Sequence, residues 1–300
     1  MTEQNILNCS FQSWYKNYEK ITIKSAILKA PPSFVQYLLC DESVFLPDHS
    51  VESETRTSSS QPAIHDHRDR SSGAASTTSR LLSCEEFKDF EVYAKQIIKE
   101  LGGKVFPKLN WSSPKDASWV AFNSSLCCQN FSDICLLMKS SNFITHDLSE
   151  PFKACSNSNT DSLPAVEYVL VLREWVDLAP SGEFRCFVKE GLLIAISQRR
   201  NQFFPFIQKD RLSIVERTKA FYEKYIMNKF PDKSVCFDLH MTSNKILLID
   251  FNPFNHITDG LLFTWAELSG EEPLDSKSEE VVHGVTFRAV PAEGNQRVRP

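Results

Sequence analysis

Glycine is scarce, at nine in 300 residues, which excludes collagen-like and glycine-repeat classes. Excess charge of one sign is also missing. Thirty-three Lys+Arg stand against 38 Asp+Glu, a net charge of -5, so no basic footprint for direct nucleic-acid binding is expected. The nine cysteines include no C-x-x-C pair and are spread along the chain; a structural zinc site needs them clustered. Apolar runs such as Leu192–Ile196 fall far short of the ~20 residues that span a bilayer. The opening MTEQNILNCSFQSWYKNYEK is too polar for a signal peptide. Thiols without an export signal predict a reducing, cytoplasmic compartment. Neither G-x-x-x-x-G-K-[ST] nor G-x-G-x-x-G occurs, so P-loop and Rossmann sites fail on their own mechanics.

What remains is ample for a core: 42% apolar residues, 22 of all residues being Phe. The length suits one large two-lobed domain or two small ones. Residues 48–80 stand apart, with 13 Ser/Thr, no aromatic, and only Val51 and Ile64 as large aliphatics. Such a stretch cannot offset its ordering entropy and reads as a flexible insertion. His49, His65 and His67 lie in it and read as solvated. The boundaries follow: 1–47 as the start of a first lobe, 81–165 as its continuation, 166–270 as a second lobe, and 271–300 as a mostly irregular tail.

Phe11, Trp14, Tyr15 and Tyr18 repeat at helical spacing, as a packed helix face or an exposed partner-binding stripe. Ser83-x-x-Glu86 makes a capping box. Phe87, Phe90, Ala94, Ile97, Ile98 and Leu101 follow one helix face, and Gly102-Gly103 stops it. A strand is predicted at 104–109, and three more within 166–199. In Glu183–Lys189, Phe184, Cys186 and Val188 oppose Glu183, Arg185 and Lys189. A helix over about 209–229 turns Leu212, Val215, Tyr222 and Ile226 inward.

The strongest chemical signal is the hairpin SVCFDLHMTSNKILLIDFNPF. By period two, Ile246, Leu248, Asp250 and Asn252 share one face. A turn centred on Asn244 sets Asp238 opposite Asp250. Facing carboxylates repel, more so when desolvated by neighbours such as Phe237 and Phe251. They stay ionised with a cation between them, or share a proton. Two carboxylates and the Asn252 amide suit Mg²⁺; otherwise they are ordinary solvated strand ends.

A metal-bound nucleotide also needs cations for its phosphates. Lys108 stands in the apolar strand FPKLNW and must snorkel or find an anion. Arg185 and Lys189 share a strand face, Arg173 follows an apolar run, and Trp111 and Trp175 offer flat walls. Lys115 lies in the loop WSSPKD, whose composition suits a mobile lid. Taken singly, these also fit solvated charges and core aromatics.

FPKLNWSSPKDASWVAFNSSL, VLVLREW, GEFRCFVK, ISQR, and LLIDFNPF followed by TDGLLFTWAEL closely resemble the cell division cycle protein 123 family. The likeness runs from NILNCSFQSWY to about residue 268 and weakens to VTFRAV. The resemblance implies an α+β, ATP-grasp-like fold in which two lobes clasp ATP between antiparallel sheets. It implies ATP and Mg²⁺ as ligands, and an assembly chaperone that binds the gamma subunit of eukaryotic translation initiation factor 2, supporting translation initiation and the cell cycle. Lys108 resembles the family's phosphate lysine. Asn110, Trp111, Ser113 and Lys115 resemble the nucleotide-contacting loop. Leu172, Arg173, Glu174 and Trp175 resemble the connection lining adenine and ribose. Arg185 resembles a phosphate-side cation, and Gln198 and Arg199 the end of the ISQR strand. Asp238, Asp250 and Asn252 fall on the magnesium ligands. Family members often carry Asp where Arg200 stands, and many continue past VRP300 with a tail.

A binding protein needs no catalytic residue, and a monomer away from membranes is expected. The alternative is an ATP-dependent carboxylate–amine, peptide-modifying ligase. A further reading leaves partner binding to the aromatics at 11–18 alone.

Overall fold

A computed structural model describes residues 1–40, 87–121, 124–155, 164–274 and 281–292. The insertion 48–80 with its histidines, and the Ser83–Glu86 capping box, lie outside them. The described residues form two sheets with helices around them, an α+β architecture.

The chain opens with helices α1 (Glu3–Asn8) and α2 (Phe11–Tyr18), strand β1 (Ser25–Lys29) and helix α3 (Pro32–Leu39). Helix α4 (Lys88–Glu100) and strand β2 (Val105–Lys108) follow, then helices α5 (Phe131–Lys139) and α6 (Asn142–Ser149). Strands β3 (Val169–Glu174), β4 (Glu183–Lys189) and β5 (Leu192–Gln198) precede helices α7 (Pro205–Lys209) and α8 (Arg211–Tyr225). The hairpin β6 (Val235–Met241) and β7 (Ile246–Pro253) leads to helix α9 (Trp265–Ser269) and strands β8 (Val281–Val282) and β9 (Val285–Arg288).

One sheet has the order β1-β3-β2, the other β7-β6-β4-β5-β9-β8. Strand β3 therefore belongs with the first lobe, and the boundary predicted at 166 moves beyond it. The physical reason is burial on both faces, which reads as a continuous apolar run. Leu170 and Leu172 face the first-lobe core with Phe34, Ala94 and Phe131. Val169 and Val171 face the other core with Phe184, Phe237 and Phe251. The small sheet is thus the joint between the lobes.

Helix α2 is also displaced from its expected lobe. Phe11, Trp14, Tyr15 and Tyr18 are all buried in the second core. Trp14 and Tyr18 both meet Phe251 edge-on. This packing overturns the reading of an exposed partner stripe. The tail is less irregular than predicted, because β9 pairs parallel to β5 and β8 pairs antiparallel to β9. The alternation Val285, Phe287 puts apolar side chains into the second core, and this burial holds the pair on the sheet edge.

Helix α4 buries the predicted face, and Gly102 and Gly103 take φ of 89° and 80°. In α8, Leu212 is exposed rather than inward. Ile214, Val215, Thr218, Phe221 and Tyr222 form the buried face, and Leu212, six residues before Thr218 at the centre of that stripe, lies roughly 120° around the helix from it. Strand β4 splits as predicted, with Phe184, Cys186 and Val188 in the second core.

Candidate nucleotide cleft

Asp238 and Asp250 are paired across the β6–β7 hairpin. The turn is tighter than a centre at Asn244 requires, with Met241 opposite Ile246. A register shift between Asp238 and Leu239 restores the predicted pair. That bulge also corrects the face assignment. An extra residue in one strand reverses which side its neighbours face. Ile246 and Leu248 pair with Met241 and Leu239 and pack on the second core. Asp250 and Asn252 pair with Asp238 and Cys236 on the opposite face.

The two acids are not left to repel. Arg185, on the adjacent β4, gives Asp238 a two-pronged contact: Nε to Oδ1 at 2.8 Å and a terminal nitrogen to Oδ2 at 2.9 Å. Arg199 donates to Oδ2 at 2.8 Å. Burial alone raises the Asp238 pKa; Arg185 and then Arg199 outweigh it and hold the carboxyl well below the usual range. Lys108 reaches from β2 to Asp250 Oδ2 at 2.6 Å. Register explains the reach, since Lys108 pairs with Val171 and so shares the face that meets the second core. Burial lowers the Lys108 pKa, with Asp250 opposing. Protein cations therefore supply the neutralising charge that the sequence argument assigned to a metal or a shared proton.

Above these acids a cleft of about 990 Å³ opens between the lobes. Trp111, Ser112, Lys115 and Asp147 line it from the first lobe, and Arg185, Arg199, Arg200 and Asn252 from the second. Lys115 reaches solvent through the cleft mouth, yet protein surrounds it. That enclosure, and next Arg199, lower its pKa to about 8, with Asp238 and Asp250 opposing. Glu183 accepts from Arg200 at 2.9 Å and lies 3.6 Å from Arg199.

Several predicted residues are placed away from the cleft walls. Asn110 is buried, donating to Glu167 O and accepting from Val169 N. Its amide is committed to pinning the start of β3. Ser113 is buried beside the loop; Trp111 stays on the cleft wall, its indole donating to Ile6 O. Leu172 is in the first-lobe core. Arg173 is buried, donating to Ile249 O at 2.8 Å and Thr22 Oγ1 at 3.1 Å. The backbone N–H groups of Glu174 and Trp175 donate to Lys24 and Lys104; Glu174 is exposed and Trp175 half-buried. Gln198 bonds Arg200 O, Gln202 O and Val290 N, tying down the turn after β5. Lys189 donates to Ser269 O, the carbonyl end of α9.

A hard divalent ion wants oxygen ligands. Asp238 Oδ1 and Asp250 Oδ1 each accept one bond in the structure, leaving a lone pair apiece. The Asn252 Nδ2 position is buried with no hydrogen-bond partner. Asn oxygen and nitrogen positions are interchangeable in outline. Rotating the amide puts an acceptor oxygen at that position, so two carboxylates and one amide are the oxygen donors that would hold such an ion; among the described residues no group of three or more Asp, Glu, His or Cys is gathered for one.

Sequence reasoning missed Ser112, Asp147 and Glu183. Asp147 was findable: it sits on the buried stripe of α6 with Ile144 and Leu148, where a lone carboxylate needs a partner.

A family model described as D123 matches residues 14–299. The chain is 41% identical over 295 residues to a translation initiation factor eIF2 assembly protein of Xenopus tropicalis, covering 98% of this chain and 87% of that one. It is 42% identical over 299 residues to one of Danio rerio, covering 98% and 84%. The solved structure of Cdc123 from Schizosaccharomyces pombe is similar with a TM-score of 0.73 at 33% identity, covering 90% of this chain and 93% of that one. Its C-terminally truncated form gives 0.74 at 32% identity, covering 96% and 98%.

Proposed function

Since the chain belongs to the D123 family, we propose that it assists assembly of eukaryotic translation initiation factor 2 and binds ATP with Mg²⁺ in the interlobe cleft. The assembly role rests on relatives named as eIF2 assembly proteins at 41% and 42% identity. The gamma subunit as partner, an ATP-grasp-like mode of holding nucleotide, a cytoplasmic setting and a link to the cell cycle rest on the motif resemblance. The nucleotide reading is carried by one observation: a cation-lined cleft standing directly over a paired-acid hairpin.

Lys115, Arg185 and Arg199 supply positive charge where phosphates would lie. Asp238, Asp250 and Asn252 would hold the metal, which when bound offsets phosphate charge against the acids. Lys115 comes from the first lobe and Arg185 from the second, so a ligand touching both walls braces the lobes. Such bracing adds about 2.7 kcal/mol at a hundredfold ligand excess over Kd. Turnover is not needed for that role.

Calorimetric titration of ATP with Mg²⁺ is the test. Wild type should bind, and Lys115→Ala and Asp250→Asn should each lose at least tenfold in affinity. Capture of the gamma subunit should strengthen with ATP in wild type but not in Asp250→Asn. Unchanged titration in both variants sinks the nucleotide assignment. ADP production tied to a mass change on the partner would favour the ligase alternative.

A further inference from the structure

One polar pair on the cleft wall is left over by the nucleotide-binding role. Ser112 lines the cleft, and its hydroxyl donates to Asp147 Oδ1 at 3.0 Å. The other carboxylate oxygen accepts from the Ser112 backbone N–H at 2.8 Å. Asp147 is itself 6% exposed. A hydroxyl whose proton points at a buried carboxylate turns its lone pairs outward, here toward the cleft. This is the arrangement of a nucleophile beside its base.

The surroundings place the pair near the charged floor. Lys108, which holds Asp250 at 2.6 Å, is also within electrostatic reach of Asp147. Lys115, three residues beyond Ser112, is within reach of Asp238, Asp250, Arg185 and Arg199. Ser112 thus sits on a loop between two lysines that both address the acid site. Burial raises the Asp147 pKa to about 6, against the two Ser112 bonds, which makes it a stronger base than a solvated Asp.

We propose that Ser112 is a phosphoryl acceptor, with Asp147 as its base, for the terminal phosphate of a nucleoside triphosphate bound in this cleft. This rests on the nucleotide reading above. The Ser112 Oγ bonds to the terminal phosphorus as the bond from that phosphorus to the bridging oxygen breaks. The hydroxyl proton passes to Asp147, and the nucleoside diphosphate leaves with the bridging oxygen. Lys115 and Arg199 offset the charge on the moving group. The product carries a new dianion on the cleft wall, so phosphorylated protein binds ATP more weakly.

The test uses the full chain with ATP and Mg²⁺, with and without the gamma subunit, read by phosphopeptide mass spectrometry. A phosphoryl group should appear on Ser112, persist in Ser112→Thr at that position, and vanish in Ser112→Ala. Asp147→Asn preserves the shape of the pair but not the base, and should slow labelling at least a hundredfold. Phosphorylated protein, separated from the unmodified form, should lose at least tenfold in ATP affinity by calorimetry. ATP binding to wild type with Ser112 unmodified in both conditions overturns the proposal and leaves the nucleotide reading standing. Labelling undiminished in Asp147→Asn overturns it as well. Absence of ATP binding altogether sinks both.

Discussion

Asp238 and Asp250 face one another in one hairpin, yet they are held by different means. Asp238 takes three charged hydrogen bonds from Arg185 and Arg199, all within the six-stranded sheet and its edge turn. Asp250 takes one, from Lys108 of the other lobe. The first acid is built into its own lobe, while the second is part of the joint. Phe11 strengthens that joint, with Lys108 at 5.1 Å and Arg173 at 5.3 Å from its ring centroid. A buried acid beside arginines organises a site, whereas a half-buried acid beside a lysine of the other lobe couples two bodies.

The comparison breaks most clearly on substitution. Asp238→Ala leaves two guanidinium groups facing each other, one buried, and arginine does not shed its proton. The expected loss is about 3–5 kcal/mol of unfolding free energy. Asp250→Ala leaves Lys108, which can deprotonate because burial already lowers its pKa. The expected loss there is about 1–3 kcal/mol. Urea unfolding of both variants tests the order. Equal losses would mean that the joint is as rigid as the lobe.

A pH series sharpens the same contrast through a third acid. Asp238 has a depressed folded pKa, so its stabilisation is complete above the unfolded value near 4 and drains away as pH falls below it. Asp147 runs the other way. Its folded pKa of about 6 lies above the ordinary 3.8, so the native state binds the extra proton between those values. Stability therefore gains from Asp147 as pH falls from 6 toward 4. Melting curves across pH 3–7 should show that gain in wild type and not in Asp147→Asn, with the acid loss below pH 4 kept in both.

The same contrast explains what could be read from the sequence. The β4 and β6 faces were legible because one side carries only apolar residues while the other, though also buried, mixes in Arg185, Asp238 and His240, and period two reports that directly. The Asp238–Asp250 pairing was legible too, but through two compensating departures, a shorter turn and a bulge at Ile249. A bulge has no period to betray it, so Ile246 and Leu248 were set on the wrong face. Strand β3 was seen and misassigned, because an apolar run says that both faces are covered but not by what. Asn110, Arg173 and Gln198 carry family-like motifs, yet their side chains are committed to backbone groups of β3, β7 and the turn after β5. Polar residues in a motif can hold a site together without facing it. Of the arginine partners of Asp238, Arg185 reads as a phosphate-side cation and Arg199 as the end of the ISQR strand, and their hold on Asp238 follows only from the strand order β6-β4-β5.

The smallest effect is expected at the rim. Arg200 is 55% exposed and makes one 2.9 Å contact with Glu183, whose other cation is Arg199 at 3.6 Å. An exposed pair of this kind contributes about 0–1 kcal/mol, so Arg200→Ala should leave the urea midpoint nearly unchanged. Its influence should fall on charge in the cleft. Without Arg200, Glu183 draws only on Arg199, which then has less positive charge to offer a phosphate. ATP affinity should drop a few-fold at low salt, and the difference should shrink as ionic strength rises and the Debye length contracts. A stability loss above about 1 kcal/mol would instead mean that Arg200, Glu183, Arg199 and Asp238 act as one network, extending the rigidity of the Asp238 site out to the cleft mouth.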